Sequence, residues 1–146
     1  MKKIITTKSG KQLELVANFG TDQFYKIFTG NEIECDAITL KEMKEGLKVS
    51  KEDDKTILLQ KISVLTLKMS KTLAFVMATQ AKYFPQDGYV RKTMDDLTEE
   101  KFTEFLCQYE RSDFDAEFYK EIFALWNGQS ESTSEIKNLT SRLQES

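Results

Sequence analysis

The side chains that could carry acid–base chemistry in this sequence are carboxylates. The chain contains no histidine, which is the usual general base near neutral pH. Four pairs of acidic residues lie close together in the sequence: Asp53 and Asp54, Asp95 and Asp96, Glu99 and Glu100, and Asp113 with Asp115. Each group lies within about one turn of a predicted helix start, where negative charge stabilises the helix dipole. This position favours helix stabilisation over catalysis, so no catalytic residue is predicted.

The cysteines and glycines indicate no other reactive site. Cys35 and Cys107 lie far apart, without the spacing of a metal site or of a disulfide framework, which is typical of reduced thiols inside a cell. Cys107 follows Leu106 in a helical pattern, so we expect it to be a small buried side chain. The six glycines are scattered and form no phosphate-binding loop. The sequence therefore predicts a protein that is not an enzyme and that uses no cofactor and no metal.

The charged residues are mixed in sign along the chain. Lys and Arg number 21 against 24 Asp and Glu, which gives a net charge of −3. Lysines at positions 41, 44, 48, 51 and 55 could be a basic strip for phosphates, but acidic residues interleave with them, as on a solvated helix. Nucleic acid is therefore not an expected partner.

Large apolar residues between positions 114 and 126 are the clearest indication of a binding surface. They extend around more than half of a predicted helix, whereas an amphipathic helix buries about half of its circumference. Core packing accounts for most of them, but part of this aromatic surface is predicted to meet another chain. The candidate partner-binding residues are Phe114, Phe118, Tyr119, Phe123 and Trp126, with Tyr119 and Trp126 favoured.

Hydrophobic periodicity predicts a mainly α fold, a helical domain with a long central helix and a small N-terminal β-hairpin. Residues 3–17 have the alternation of a hairpin around Ser9 and Gly10, and this hairpin must dock on helices because two strands alone are marginal. A first helix is expected at Thr21–Thr29, ending at Gly30. Residues 1–128 are predicted to form one domain. Residues 129–146 are predicted to be a polar C-terminal tail that can form a short helix.

Capping patterns predict the starts of the later helices. The patterns are Thr39 with Glu42, Ser50 with Asp53, Thr98, and Ser112 with Asp115. The helix after Ser50 is the longest, and its apolar stripe predicts burial on more than one side. That stripe is Leu58, Ile62, Leu65, Met69, Leu73 and Val76. We expect this helix to close at Pro85 and Gly88 and a loop of about ten residues to follow.

Neither export nor membrane insertion is expected. The N-terminus is basic but lacks the apolar core of a signal peptide. The longest apolar run, residues 73–78, is far shorter than a bilayer-spanning segment.

Four stretches of the chain resemble, in order, the tail assembly chaperones of siphophages that infect Gram-positive bacteria. Residues 4–13, IITTKSGKQL, are similar to the family's short N-terminal hairpin. Residues 24–33, FYKIFTGNEI, resemble its aromatic, basic helix with a Thr-Gly end. Residues 73–81, LAFVMATQA, resemble the small-residue end of its long helix, and residues 97–102, LTEEKF, resemble the start of the next helix. The Lys-rich middle of the chain departs from the family pattern.

The resemblance implies a protein made during tail morphogenesis and absent from the mature virion. Such proteins coat the helical tape measure protein and recruit tail tube subunits to it, so these two proteins are the implied partners, in the cytoplasm of the bacterial host. A second copy of the chain is a further candidate partner. In many members a ribosomal frameshift adds a second domain, which would make residues 129–146 the junction.

Two other functions stay open at this point. A regulatory or host-inhibitor protein encoded by a phage would act by binding protein or nucleic acid, and its binding to DNA would weaken steeply with salt. An enzyme using carboxylates or Cys107 would require a cleft with a strongly perturbed pKa.

Overall fold

The computed structural model describes residues 2–128. Two strands, β1 (Lys2–Thr6) and β2 (Gln12–Val16), precede six helices. The helices are α1 (Thr21–Thr29), α2 (Ile33–Leu47), α3 (Glu52–Tyr83), α4 (Tyr89–Asp96), α5 (Glu99–Leu106) and α6 (Ala116–Gly128), with a 3₁₀ turn at Arg111–Asp113. The predicted fold class is confirmed, including the long central helix and the N-terminal hairpin.

The hairpin closes as the sequence predicts. The strands are antiparallel, with Thr6 opposite Gln12 and Lys2 opposite Val16. Gly10 adopts a φ of +90° in the turn, a conformation that glycine reaches without strain. Ile5, Leu13 and Leu15 are buried, and β2 packs on α3, so the helix supplies the surface that a lone hairpin lacks.

The central helix α3 is buried along its second half only. Every residue from Met69 to Met77 except Lys71 is buried, and β2 and the other five helices pack around α3. In its first half, the predicted stripe residues Leu58, Ile62 and Leu65 are half-buried, because α2 covers one side of that half. The prediction of burial on more than one side therefore holds for the second half and is wrong for the first.

Two predicted capping boxes do not form. Helix α2 begins at Ile33 rather than near Thr39, whose hydroxyl donates to the Cys35 carbonyl at 3.0 Å inside the helix. The Ser50 hydroxyl donates to the Gly46 carbonyl at 2.7 Å and leaves Lys51 as the N-cap of α3. Hydroxyl side chains satisfy a backbone carbonyl as readily as an amide, so the sequence pattern alone was ambiguous.

Three other predictions of helix ends were right or nearly right. The Thr98 hydroxyl accepts from the Lys101 amide and caps α5 as expected. Before α6, Asp115 itself accepts from the Phe118 amide at 2.9 Å, while Ser112 lies in the 3₁₀ turn. Gly30 ends α1 with a φ of +80°.

The expected loop after the long helix contains α4, a helix that the sequence analysis missed. Its apolar residues Val90 and Met94 are exposed, and Thr93 is its buried residue. The helix has only eight residues and begins directly after Gly88, and Pro85 and Gly88 predicted a loop at this point. Cys107 was also predicted wrongly: it is exposed, at the C-cap of α5.

By length and composition, α3 is the one described helix that could cross a membrane. Half of its most apolar 18-residue stretch is buried inside the protein. The single-domain boundary at residue 128 stays a prediction, and the predicted C-terminal tail lies outside the described residues.

Candidate protein-binding surfaces

The five predicted binding residues on and before α6 divide into two groups. Phe114 and Phe118 turn toward the core: their ring centroids are 5.1 Å apart and the planes are nearly perpendicular. Phe118 is buried, and the half-buried Phe114 ring carries the Lys71 ammonium 5.2 Å from its centroid. Phe118 is therefore poorly placed to meet a partner, and the assignment of all five residues to a partner-binding surface stays a prediction.

Tyr119, Phe123 and Trp126 form a row of half-buried rings along one side of α6, which we call the α6 aromatic row. The centroids of Tyr119 and Phe123 are 4.4 Å apart, and those of Phe123 and Trp126 are 5.8 Å apart. Ile122 and Leu125, on the neighbouring flank of the helix, are fully or almost fully buried. The row thus borders the core and presents part of each ring to solvent.

The Trp126 end of the α6 aromatic row is held in place. The Trp126 indole N–H donates to the Asp22 carboxylate at 2.7 Å, which ties the end of α6 to the first turn of α1. A ring fixed in this way loses little conformational entropy on binding. At the other end, burial raises the pKa of Tyr119 above its ordinary value.

The first half of α3 carries a second set of apolar side chains, and the sequence analysis did not select them. Ile57, Leu59 and Val64 are 55%, 51% and 67% exposed. All three lie outside the six-residue stripe that was predicted to be buried. Their exposure could therefore have been inferred from the sequence. Ile57 and Val64 are seven residues apart on one side of the helix and form a candidate interaction surface, whereas Leu59 lies on another side.

A third apolar area surrounds Tyr89 at the start of α4. The Tyr89 ring contacts Phe84 and Phe24, with centroids 5.3 Å and 6.0 Å away. Phe84 is exposed, as are Phe19, Val90 and Met94. The Tyr89 hydroxyl is held by the side chains of Asn18 and Gln80. We call the exposed residues Phe19, Phe84, Val90 and Met94 the α4 patch.

A groove of about 450 Å³ runs between β2 and α5 over α3. Its floor includes the small residues Ala78, Thr79 and Ala81, which belong to the small-residue stretch seen in the sequence. Its rim carries both signs of charge: Glu14, Asp96 and Glu104 against Lys82 and Lys101. A rim of mixed charge selects no particular ionic ligand.

Several of the acidic groups that could have served catalysis are engaged in structural contacts. Asp96 accepts from the Tyr83 hydroxyl at 2.6 Å and pairs with Lys82 at 3.2 Å. Burial by itself raises the pKa of Asp96, but these two partners outweigh it and the pKa is lowered. Asp95 pairs with Arg91, and Asp115 caps α6. Within residues 2–128, no group of three metal-ligating side chains comes together.

Comparison with known proteins finds no relative of this chain. No protein-family model, no curated protein and no solved structure matches this chain. The resemblance to tail assembly chaperones therefore stays a prediction from the sequence.

Proposed function

We propose that this protein is a siphophage tail assembly chaperone that binds the tape measure protein, recruits tail tube subunits, and is absent from the mature virion. It acts in the cytoplasm of the bacterial host and makes or breaks no covalent bond. The observation that carries the proposal is the α6 aromatic row. Its residues are spaced by four and three positions, so the rings line up along one side of the helix.

A helical partner suits the α6 aromatic row. The row spans about two turns, because the rise is 1.5 Å per residue, and it presents apolar surface as a narrow line rather than a deep pocket. An apolar seam on a long helix can lie along such a line. Aromatic rings are also the side chains that contribute most to binding energy at interfaces.

Partial exposure of the rings supports a moderate affinity. Tyr119, Phe123 and Trp126 are each half-buried in the free protein, so binding removes only part of their apolar surface from water. A chaperone that is later displaced by polymerising tube protein needs such a reversible contact.

The α4 patch offers a second contact for a second partner. Phe19, Phe84, Val90 and Met94 belong to other elements than α6, and three of them are more than 40% exposed. A protein that brings tube subunits to a tape measure must hold two polypeptides at once. We assign the tube subunit to the α4 patch.

The proposal is tested by co-expressing the chain with the long helical protein encoded beside it. We expect the partner to become soluble and the two proteins to elute together in size-exclusion chromatography. Trp126 is the only tryptophan in the chain, so its emission should shift to shorter wavelength when the complex forms. The double variant Tyr119→Ala, Phe123→Ala should weaken binding at least about tenfold.

The control is Leu59→Ser, which removes an exposed apolar side chain that lies on neither surface. It should leave the complex intact. An insoluble partner with no complex would overturn the chaperone function. Salt-sensitive binding to duplex DNA would favour the regulatory alternative instead, and full binding by the double variant would exclude the α6 aromatic row as the site.

A further inference from the structure

One face of the first half of α3 carries apolar and charged residues. Their order along the helix is complementary to the same face of a second, reversed copy. Ile57 and Val64 are seven residues apart and therefore lie on the same side of the helix. Asp53 precedes Ile57 by four residues, and Lys68 follows Val64 by four, so all four share this side. Along the helix the order is acidic, apolar, apolar, basic. We call these four residues the α3 face.

The α3 face has no partner within the described part of the chain. Asp53 and Lys68 are exposed and form no ion pair among residues 2–128, whereas the neighbouring Glu52 pairs with Lys55 at 3.7 Å. Ile57 and Val64 are 55% and 67% exposed. Helix α2 packs on a different side of α3, since a Cβ added to Gly46 would lie 3.6 Å from Leu58.

We propose that the α3 face binds a second copy of this chain, with the two α3 helices antiparallel about a two-fold axis between Gln60 and Lys61. An axis at that point places Ile57 against the partner's Val64, and Val64 against the partner's Ile57. It also places Asp53 against the partner's Lys68, and the reverse pair forms at the other end. Every apolar residue of the face meets an apolar residue, and every charge meets its opposite.

A parallel arrangement of the two helices would not pair opposite charges. With the two helices parallel and in register, Asp53 would face the partner's Asp53 and Lys68 the partner's Lys68, which is repulsive. The antiparallel order also places the folded bodies at opposite ends, because the buried half of α3 begins at Met69. The overlapping segment from residue 53 to residue 68 is about 24 Å long at 1.5 Å per residue.

The α3 face is distinct from the α6 aromatic row and from the α4 patch, so self-association does not depend on the proposed function. A contact between two helix segments is small, and dimers of this size dissociate on dilution. We therefore expect a monomer–dimer equilibrium rather than an obligate dimer.

Sedimentation equilibrium of the full-length protein tests the apolar part of the proposal. The unmodified chain should be dimeric at high concentration and dissociate on dilution. The double variant Ile57→Ser, Val64→Ser removes four apolar side chains from the interface of a symmetric dimer and should raise Kd at least about tenfold. The matched control Leu59→Ser lies on another side of the same helix and should leave Kd unchanged.

Charge reversal tests the antiparallel register. Asp53→Lys and Lys68→Asp should each weaken the dimer, because each places like charges together, and the double variant should restore it. Glu52→Lys removes the same negative charge from the first turn of α3 on a different side and should have little effect. Circular dichroism should show equal helix content in all variants.

Three outcomes would overturn the proposal. The first is a monomer at all concentrations. The second is a dimer that Ile57→Ser, Val64→Ser leaves intact, since another surface would then mediate association. The third is a charge-reversal double variant that is weaker than both single variants, since Asp53 and Lys68 would then not face each other.

Discussion

The carboxylate of Asp113 binds Ser9, which lies 104 residues earlier in the chain, through two hydrogen bonds of 2.8 Å. The Ser9 amide donates to one carboxylate oxygen and the Ser9 hydroxyl donates to the other. The Glu110 amide donates to the second oxygen at 2.9 Å. Asp113 is completely buried, so this one side chain fastens the turn of the hairpin to the segment that leads into α6.

Replacement of Asp113 should therefore destabilise the protein. Asp113→Ala leaves the two Ser9 donors and the Glu110 amide without their acceptor, and buried donors without partners are costly. We expect the melting temperature to fall by several degrees in thermal unfolding followed by circular dichroism. Asp87→Ala is the control, because Asp87 is exposed and makes no ion pair among the described residues. Equal melting temperatures for the two variants would show that the Ser9 contact contributes nothing.

Stability should also decrease in acid because of Asp113. Burial alone raises the pKa of this carboxyl, but the bonds from the Ser9 and Glu110 amides and the Ser9 hydroxyl outweigh it, and the pKa lies below its ordinary value. A carboxyl whose pKa is lower in the folded than in the unfolded state stabilises the fold above the unfolded pKa of about 3.9. That contribution is lost as the pH falls through the folded pKa. The melting temperature should thus drop from about pH 4 downward.

Substitution of Asp113 shows whether this carboxyl causes the loss of stability in acid. Asp113→Asn cannot titrate, so its melting temperature should fall less over this acidic range than that of the unmodified chain. Asp96, whose pKa is lowered by Tyr83 and Lys82 against the opposite effect of burial, should contribute in the same direction. If Asp113→Asn follows the same pH curve as the unmodified protein, the stabilising role of the ionised carboxyl is refuted.

Two fully buried threonines should respond in opposite ways to substitution by valine. The Thr21 hydroxyl donates to Gln80 at 2.8 Å and accepts from the Asn18 amide at 3.0 Å. The Thr93 hydroxyl has no hydrogen-bond partner among the described residues. Thr21→Val should lower the free energy of unfolding by about 1–3 kcal/mol. Thr93→Val should raise it by up to about 1 kcal/mol, because a buried hydroxyl without a partner is unfavourable.

Urea unfolding measures both threonine variants under the same conditions, and each is the control for the other because the change in side-chain shape is identical. Destabilisation of similar size in both would mean that Thr93 has a partner, such as a bound water, in solution.

Replacement of two glycines by alanine should likewise change stability in opposite directions. Gly30 has a φ of +80°, a conformation that costs an alanine about 1 kcal/mol, so Gly30→Ala should be destabilising. Gly46 lies inside α2, and a Cβ there would meet Leu58 at an ordinary contact distance of 3.6 Å. Gly46→Ala should stabilise by about 0.5–1 kcal/mol. Chemical denaturation of the two variants checks the signs, and a stabilising Gly30→Ala would contradict the helix end described here.

Several local features could be predicted because neighbouring residues determine them. Ser9 and Gly10 close the hairpin, Gly30 ends α1, and Thr98 caps α5. Thr39 and Ser50 show the limit of such reasoning. Their hydroxyls bond to carbonyls in the preceding turn, and the choice between the two bonds depends on whether a helix already surrounds the residue.

Features that depend on residues distant in sequence could not be predicted. Helix α4 was missed because it is short and follows Pro85 and Gly88, yet its first residue, Tyr89, is held by Asn18 and Gln80. The same limit applies to the α6 aromatic row. Phe118 and Phe123 are the same residue type, five positions apart on one helix, and packing against the core buries Phe118 but leaves Phe123 half-buried.

The mainly α class, the hairpin at the start and the length of the central helix follow from the sequence alone, because periodicity and turn residues act over a few positions. Which stretch of α3 is enclosed, and which apolar side chains remain accessible, depends on how the other elements pack around it. Ile57 and Phe75 are both large apolar residues of one helix, but Phe75 meets Phe28 and Phe102 while Ile57 meets solvent. Burial depends on what the rest of the chain brings alongside, and hydrophobicity at a single position does not contain that information.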